Sequence, residues 1–149
     1  MRKMVYAVSG KAHEMMEKLN AAHRETDPKP AVDELWKDDL NNPLTFKEKN
    51  KIKKTIAFAE NNPVVWQTFK RFALEASTKT ACYGSQGVWE RMRWYIVFNL
   101  AHPDMDYKLN NDYVAFYARL FMHRFPQFDK FFEVRKSCFD RVIYENIFI

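Results

Sequence analysis

The sequence predicts a compact all-α domain, and three observations support this fold class. The chain has 149 residues, a length typical of one domain. It contains 13 Phe, 7 Tyr and 4 Trp, which supply apolar surface for a core and argue against disorder. Its three glycines, Gly10, Gly84 and Gly87, are fewer than the short turns of a β-sandwich or barrel require. We therefore expect about six to seven helices in a compact arrangement.

The first 40 residues predict an acidic helical arm, which precedes a basic helical domain over residues 41–149. Residues 11–25 have the apolar spacing of one amphipathic helix. Residues 31–40 predict a second, short helix whose apolar side carries Val32, Leu35 and Trp36. The first 40 residues hold 7 basic against 8 acidic side chains, and the remainder holds 17 against 11. The excess of positive charge therefore lies in residues 41–149.

The next segment predicts a lysine-rich helix that begins with a capping box. Thr45 and Glu48 have the spacing at which the hydroxyl and the carboxylate each accept a hydrogen bond from a backbone amide of the first turn. The apolar positions expected to face inward are Ile52, Ile56 and Ala59. Asn62 is the predicted N-cap of the following helix, and Pro63 is its first residue.

Two further helices form a predicted hairpin. Residues 63–79 carry an apolar stripe that consists of Val65, Phe69, Phe72 and Ala76. Residues 80–87 hold two of the three glycines and predict a turn, after which Ser85 is the expected cap of a helix from Gln86 to about Leu100. The apolar run from Trp94 to Phe98 is compatible with a buried strand. A central buried helix is favoured, because no helix breaker interrupts the pattern.

The last third of the chain contains the clearest amphipathic pattern. Asn111 is the expected cap of a helix that Pro126 ends. Its inward positions follow helical spacing and are Tyr113, Phe116, Tyr117, Leu120, Phe121 and Arg124. A short helix is predicted around residues 127–134, with Phe128, Phe131 and Phe132 as its apolar side chains. The apolar tail, residues 141–149, is compatible with a docked helix or a strand.

Composition excludes several classes of protein and fits others. No run of 18 apolar residues occurs, so we expect no membrane span, and residues 4–9 are too short for the core of a signal peptide. Cys82 and Cys138 are too few for a disulfide framework or a zinc site built on thiolates, so a reduced, intracellular protein is expected. The net charge of +5 is compatible with a nucleic-acid or an acidic protein partner.

The basic residues predict a non-enzymatic nucleic-acid-binding surface. Lysine side chains bind phosphates and release counterions without reading the base sequence, although a solvated helix face has the same composition. The candidate residues are Lys47, Lys49, Lys51, Lys53, Lys54, Lys70, Arg71, Arg91 and Arg93. In outline the hairpin also resembles a helix-turn-helix unit, but an ordinary αα-hairpin has the same turn. In the first case the groove-facing residues would be Gln86, Glu90, Arg91 and Arg93.

Five arginines lie within otherwise apolar segments and have two possible roles. A guanidinium among aromatic rings forms either a structural ion pair or a cationic contact to a ligand carboxylate or phosphate. Structural pairing, with Glu90, Asp112 or Glu133 as partners, is the favoured interpretation. The residues concerned are Arg91, Arg93, Arg119, Arg124 and Arg135.

Two other functions are compatible with the sequence. A protein-interaction factor would use residues 32–40 or an exposed aromatic patch. The contact residues in residues 32–40 would be Leu35, Trp36, Asp38 and Asp39. A metal-dependent enzyme would be built on His102, Asp104 and Asp106, although an ordinary loop is the favoured explanation of these residues. Motifs such as GxSxG, HExxH and a phosphate-binding glycine loop do not occur, so we expect no catalytic residues, no metal and no cofactor.

Four segments resemble a known family. They are NPVVWQTFKRFALEA, WERMRW, YKLNNDYVAFYARLFM and PQFDKFFEVR, within residues 62–136. Over this range the chain resembles a family of small, mostly uncharacterised proteins encoded by phages and prophages, whose motifs carry no known chemistry. The resemblance implies the cytoplasm of a bacterial host. It also implies either nucleic-acid binding or inhibition of a host defence nucleoprotein such as a CRISPR nuclease.

Overall fold

The computed structural model describes residues 34–149, and this part of the chain is all-α, as the sequence predicts. Its α-helices are α1 (Phe46–Asn61), α2 (Pro63–Ser77), α3 (Ser85–Trp94), α4 (Met105–Lys108) and α5 (Val114–Arg124). A π-helical turn, Tyr95–Asn99, continues α3. The 3-10 turns are Asn111–Tyr113, Pro126–Phe128, Cys138–Arg141 and Tyr144–Asn146. The predicted helix over residues 11–25 lies outside the described residues.

Helix α1 begins and ends as its sequence predicts. The Thr45 hydroxyl accepts a hydrogen bond from the Glu48 amide at 3.1 Å, and the Glu48 carboxylate accepts one from the Thr45 amide at 3.0 Å. This reciprocal pair is the predicted capping box. Asn62 is the N-cap of α2, as predicted, but its side-chain amide donates to the Phe58 carbonyl at 2.9 Å and so closes α1 instead.

The core lies where α2, α3 and α5 meet, around the ring of Phe69. Its ring centroid is 6.2 Å from that of Trp89, 5.8 Å from Tyr117 and 5.8 Å from Phe132. The predicted stripe on α2 is confirmed, with Ala76 only partly buried. All six residues predicted to face inward on this segment are buried, including Arg124 on α5 and Tyr113 in the preceding 3-10 turn. The phenylalanines of α2 and α5 therefore fill the core.

Helix α3 departs from its prediction at both ends. It begins at Ser85 with Gly84 in the N-cap position, so Ser85 is not the cap. Beyond Trp94 the backbone widens into the π-helical turn instead of continuing as an α-helix to Leu100. The run from Trp94 to Phe98 is therefore helical, but the prediction that it is buried is wrong. Trp94 and Phe98 are 63% and 66% exposed, and within this run only Ile96 is fully buried.

Residues 34–40 contain no helix, which corrects the helix predicted over residues 31–40; residues 31–33 lie outside the described part. The Ile143 amide donates to the Leu35 carbonyl at 2.9 Å, and the Lys37 amide donates to the Arg141 carbonyl at 2.8 Å. This pairing with the distant tail outweighs local helix propensity. The predicted domain boundary between residues 40 and 41 stays a prediction, because most of the first segment is not described.

The C-terminal region contains less regular helix than expected. Asn110, rather than Asn111, caps the 3-10 turn that leads into α5. The helix predicted around residues 127–134 is wrong, since only the short turn Pro126–Phe128 forms. The tail is neither the docked helix nor the strand considered from sequence. Instead, two 3-10 turns and one bridge, Val142 with Trp36, place it against the core.

Candidate functional site

The five lysines of α1 form two rows, one on each side of its buried face, which carries Ile52, Thr55, Ile56 and Ala59. Lys47, Lys51 and Lys54 follow i, i+4, i+7 spacing, and Lys49 and Lys53 follow i, i+4 spacing, so each set shares one flank of the helix. Four of the side chains are exposed and Lys49 is half-buried. Among residues 34–149, no carboxylate lies within salt-bridge distance of any of them. We call these five residues the lysine rows.

Two aromatic rings contact the lysine rows. The Nζ atoms of Lys49 and Lys53 lie 6.0 and 5.7 Å from the ring centroid of Trp36, and Lys51 Nζ lies 5.6 Å from that of Phe139. These are the distances of cation–π contacts. Trp36 is held in place by its bridge to Val142. The structure thus brings a residue predicted for protein contact next to the lysines predicted for nucleic acid.

The positive charges of the lysine rows destabilise α1 when no anion is bound. Lys47 and Lys49 lie in the first turn, near the positive end of the helix dipole, and like charges at i, i+4 repel each other. The helix contains two carboxylates, Glu48 and Glu60. Hydrogen bonds from the backbone and side chain of Thr45 lower the pKa of Glu48, and the charges of Arg141 and Lys51 contribute further. Glu48 is therefore committed to the cap. Apart from the attraction between Lys51 and Glu48 and the three ring contacts, the charges of the lysine rows are not compensated within the described residues.

Arg71 and Arg91 meet at one aromatic ring on the surface formed by α2 and α3. Their guanidinium carbons lie 5.5 and 4.3 Å from the ring centroid of Phe72. Arg71 also donates to the Tyr95 hydroxyl at 3.1 Å, and Arg91 donates to Glu75 at 3.2 Å. Both cations are thus already engaged within the protein. Lys70, predicted with them, has its Nζ 5.7 Å from the Trp66 ring centroid.

Arg93 projects from a different side of α3. Its Nη2 donates to Asp106 Oδ1 at 2.7 Å, and its Nη1 lies 3.5 Å from Glu90 Oε1. The hydrogen bond that Arg93 donates to Asp106 is the main cause of the raised pKa of Arg93. Gln86, Glu90 and Arg93 share one face of α3, where Gln86 donates to Glu90 at 2.9 Å and Arg93 pairs with Glu90. Arg91 lies on another face and pairs with Glu75, so the structure does not place all four residues predicted for groove contact together. The lysines of α1 are therefore the main candidates for nucleic-acid binding.

The remaining arginines of the aromatic segments divide into two classes. Arg119 and Arg124 are buried and bind the C-terminal tail, so they have the structural role predicted for this group. Arg119 donates to Asp140 at 2.6 Å, and Arg124 donates to the carbonyls of Ile147 and Ile149 at 2.6 and 2.7 Å. Their partners differ from those expected. Arg135 is exposed.

The other predicted site residues do not converge. His102, Asp104 and Asp106 are exposed, and no group of three or more potential ligands able to hold a metal ion occurs in the described part of the chain. Asp38 and Asp39 are exposed as well. Leu35 lies half-buried against the core, so much of its surface is used within the protein.

The exposed pair of Trp94 and Phe98 was missed by sequence reasoning. Their ring centroids lie 4.9 Å apart. A signal was available, because Glu90, Trp94 and Phe98 are spaced four residues apart and thus share one helical row. The carboxylate of Glu90 marks that row as the solvent side. A five-residue apolar run in a helix cannot turn every side chain to the core.

Comparison with protein-family models, curated proteins and solved structures gives no match. Of the helices between residues 34 and 149, none combines the length and apolar character needed to cross a bilayer.

Proposed function

We propose that this protein is a non-enzymatic nucleic-acid-binding protein that contacts the phosphate backbone through the lysine rows of α1. The observation that carries the proposal is the lack of carboxylate partners for these five lysines among the described residues. An ordinary solvated helix face usually intersperses both signs of charge, and opposite charges at i, i+4 stabilise it. Here the charges repel one another, and a polyanion would relieve that repulsion.

The dimensions of α1 suit a backbone contact. Lys47 and Lys54 are seven residues apart, which corresponds to about 10 Å along a helix axis. That distance is the axial length of about three phosphates on one strand of a duplex. Lysine is a flexible point charge that follows the backbone without requiring a base sequence. We therefore expect sequence-independent binding whose affinity depends strongly on salt.

The direct test is fluorescence anisotropy with labelled single-stranded DNA, duplex DNA and RNA of mixed sequence. We expect the full chain to bind at about 50 mM salt and to lose most of its affinity by about 200 mM, since counterion release drives association. The absence of binding to all three probes at low salt would overturn the proposal.

A second candidate function is inhibition of a host defence nucleoprotein such as a CRISPR nuclease. The exposed rings of Trp94 and Phe98 favour it, because adjacent exposed aromatics are typical of protein interfaces. The resemblance to phage-encoded proteins points in the same direction. Pull-down from a bacterial lysate, with and without nuclease, separates the two functions. A host protein retained after digestion supports the second, whereas retention that digestion abolishes supports the first.

A further inference from the structure

The last residue of α3 and the π-helical turn that follows it each present one aromatic ring beside a shallow cavity. The rings of Trp94 and Phe98 are tilted by 44° at a centroid distance of 4.9 Å. The adjoining cavity has a volume of about 230 Å³. Its lining residues, which we call the aromatic cleft, are Glu90, Arg93, Trp94, Val97, Phe98 and Asp106.

The inner side of this segment packs against the core, whereas the rings of Trp94 and Phe98 are exposed to solvent. Ile96 is fully buried, and the Tyr95 ring packs edge-to-face against Phe72 at 5.2 Å. These contacts anchor the turn to the core on one side. π-helical turns recur at functional sites, where they redirect side chains from their α-helical positions. The exposed rings are thus held by a rigid support, which reduces the entropic cost of binding.

The aromatic cleft carries negative charge within a basic protein. Two carboxylates, Glu90 and Asp106, face one guanidinium, Arg93. The side chains of Glu90 and Asp106 are 53% and 58% exposed, whereas that of Arg93 is 25% exposed and lies between them. Glu90 Oε1 also accepts a hydrogen bond from Gln86 at 2.9 Å. Each carboxylate has two oxygens and several acceptor positions, so acceptor positions remain on both after these contacts.

We propose that the aromatic cleft binds an arginine or lysine side chain from a basic segment of a protein partner. The ring faces of Trp94 and Phe98 attract a cation, and a guanidinium stacked there can also bind the neighbouring carboxylates. A nucleic acid is disfavoured, because Glu90 and Asp106 repel phosphate. A purely apolar partner would bury these carboxylates without compensation. The inference extends the second candidate function and does not depend on the lysine rows.

A labelled nona-arginine peptide tests this inference by fluorescence anisotropy with the full chain. Because the protein has a net charge of +5, general electrostatics oppose this peptide, and binding requires a local site. We expect the double variant Trp94→Ala/Phe98→Ala to weaken binding at least about tenfold, as loss of a hot spot does. Glu90→Gln should weaken it to a smaller degree. Tyr107→Ala is the matched control, since Tyr107 is a 94% exposed aromatic outside the cleft.

Further measurements show whether the variants are folded and whether something other than a basic side chain binds in the aromatic cleft. Thermal unfolding shows whether the double variant is folded, and Trp94→Phe, which keeps an aromatic face, should retain most of the affinity. No binding of the peptide at low salt, or equal affinity of wild type and double variant, would overturn the inference. Self-association of the wild type would also overturn the inference if the double variant abolished it, because a second copy of the chain would then occupy the cleft. DNA binding that requires Trp94 and Phe98 would also contradict it, whereas lack of any DNA binding counts only against the lysine rows.

Discussion

Arg119 on α5 donates from Nε to Oδ1 of Asp140 at 2.6 Å and thereby joins the last α-helix to the C-terminal tail. The same guanidinium donates to the carbonyls of Ala115 and Arg135 at 2.8 and 2.6 Å. Its side chain is only 7% exposed. The remaining oxygen of Asp140 accepts a hydrogen bond from the Ser137 amide and caps the 3-10 turn. One arginine thus organises an irregular segment that has few backbone hydrogen bonds of its own.

Arg119 acts as a clamp between α5 and the tail, and replacing it with lysine should destabilise the protein. Arg119→Lys keeps the charge, but an ammonium cannot reproduce the three directed bonds of the guanidinium. We expect the free energy of unfolding to fall by about 2–4 kcal/mol, because buried carbonyls lose their donors. Urea unfolding measures this loss. Arg135→Lys is the control: its side chain is exposed, and we expect a change within about 0.5 kcal/mol. Equal effects of the two substitutions would show that Arg119 is not a clamp.

Two buried tyrosines should respond oppositely to loss of their hydroxyls. The Tyr117 hydroxyl has no hydrogen-bond partner within the described residues, and burial raises its pKa. Tyr117→Phe should therefore leave stability unchanged or raise it by up to about 1 kcal/mol, since an unsatisfied group is removed. The Tyr144 hydroxyl donates to the Phe139 carbonyl at 2.8 Å, so Tyr144→Phe should cost about 1–2 kcal/mol. Denaturant unfolding of both variants checks this order, and a larger loss in Tyr117→Phe would refute it.

The capping box should make stability depend on acid pH. Hydrogen bonding to Thr45 lowers the pKa of Glu48 in the folded state. A lowered folded pKa gives stability that is present above the unfolded pKa, about 4.3, and is lost as pH falls through the folded pKa. Glu48→Gln should therefore flatten the pH dependence of the unfolding free energy below about pH 4.3.

Glu60→Gln provides the matched control for this titration. Glu60 is an exposed carboxylate near the other end of α1, and its side chain makes no hydrogen bond among the described residues. Urea unfolding at several acid pH values compares the two variants. If Glu48→Gln retains the full acid dependence of the wild type, the carboxylate does not stabilise the cap.

The elements predicted correctly are those whose determinants are local. Helix α2 and the start of α1 follow from a stripe that includes Phe69 and from the spacing of Thr45 and Glu48, which all lie within a few turns. Residues 34–40 could not be predicted in this way. Their non-helical form depends on the backbone hydrogen bonds of Leu35 and Lys37 with a tail more than 100 residues away, and local propensity contains no information on that pairing.

The candidate site was predicted in part. The lysine rows were found from composition and spacing, but sequence did not show that Arg91 and Arg93 are already bound by Glu75 and Asp106. Such pairs join different elements, so only the fold reveals them. The exposure of Trp94 was missed for another reason. Aromatic residues usually indicate core, and this general tendency was given more weight than the four-residue spacing that places Trp94 in one row with Glu90.

The central claim is that the lysine rows bind phosphate, and the salt dependence of DNA affinity tests it most directly. The triple variant Lys47→Gln/Lys51→Gln/Lys54→Gln removes one row, and Lys108→Gln/Lys130→Gln/Lys136→Gln removes the same charge from exposed lysines elsewhere. We predict that the first variant reduces the slope of log affinity against log salt by about two to three, since each phosphate contact contributes about 0.7–0.9. The second should leave the slope near that of wild type. An equal change of slope in both variants would contradict the claim, because binding would then follow net charge alone.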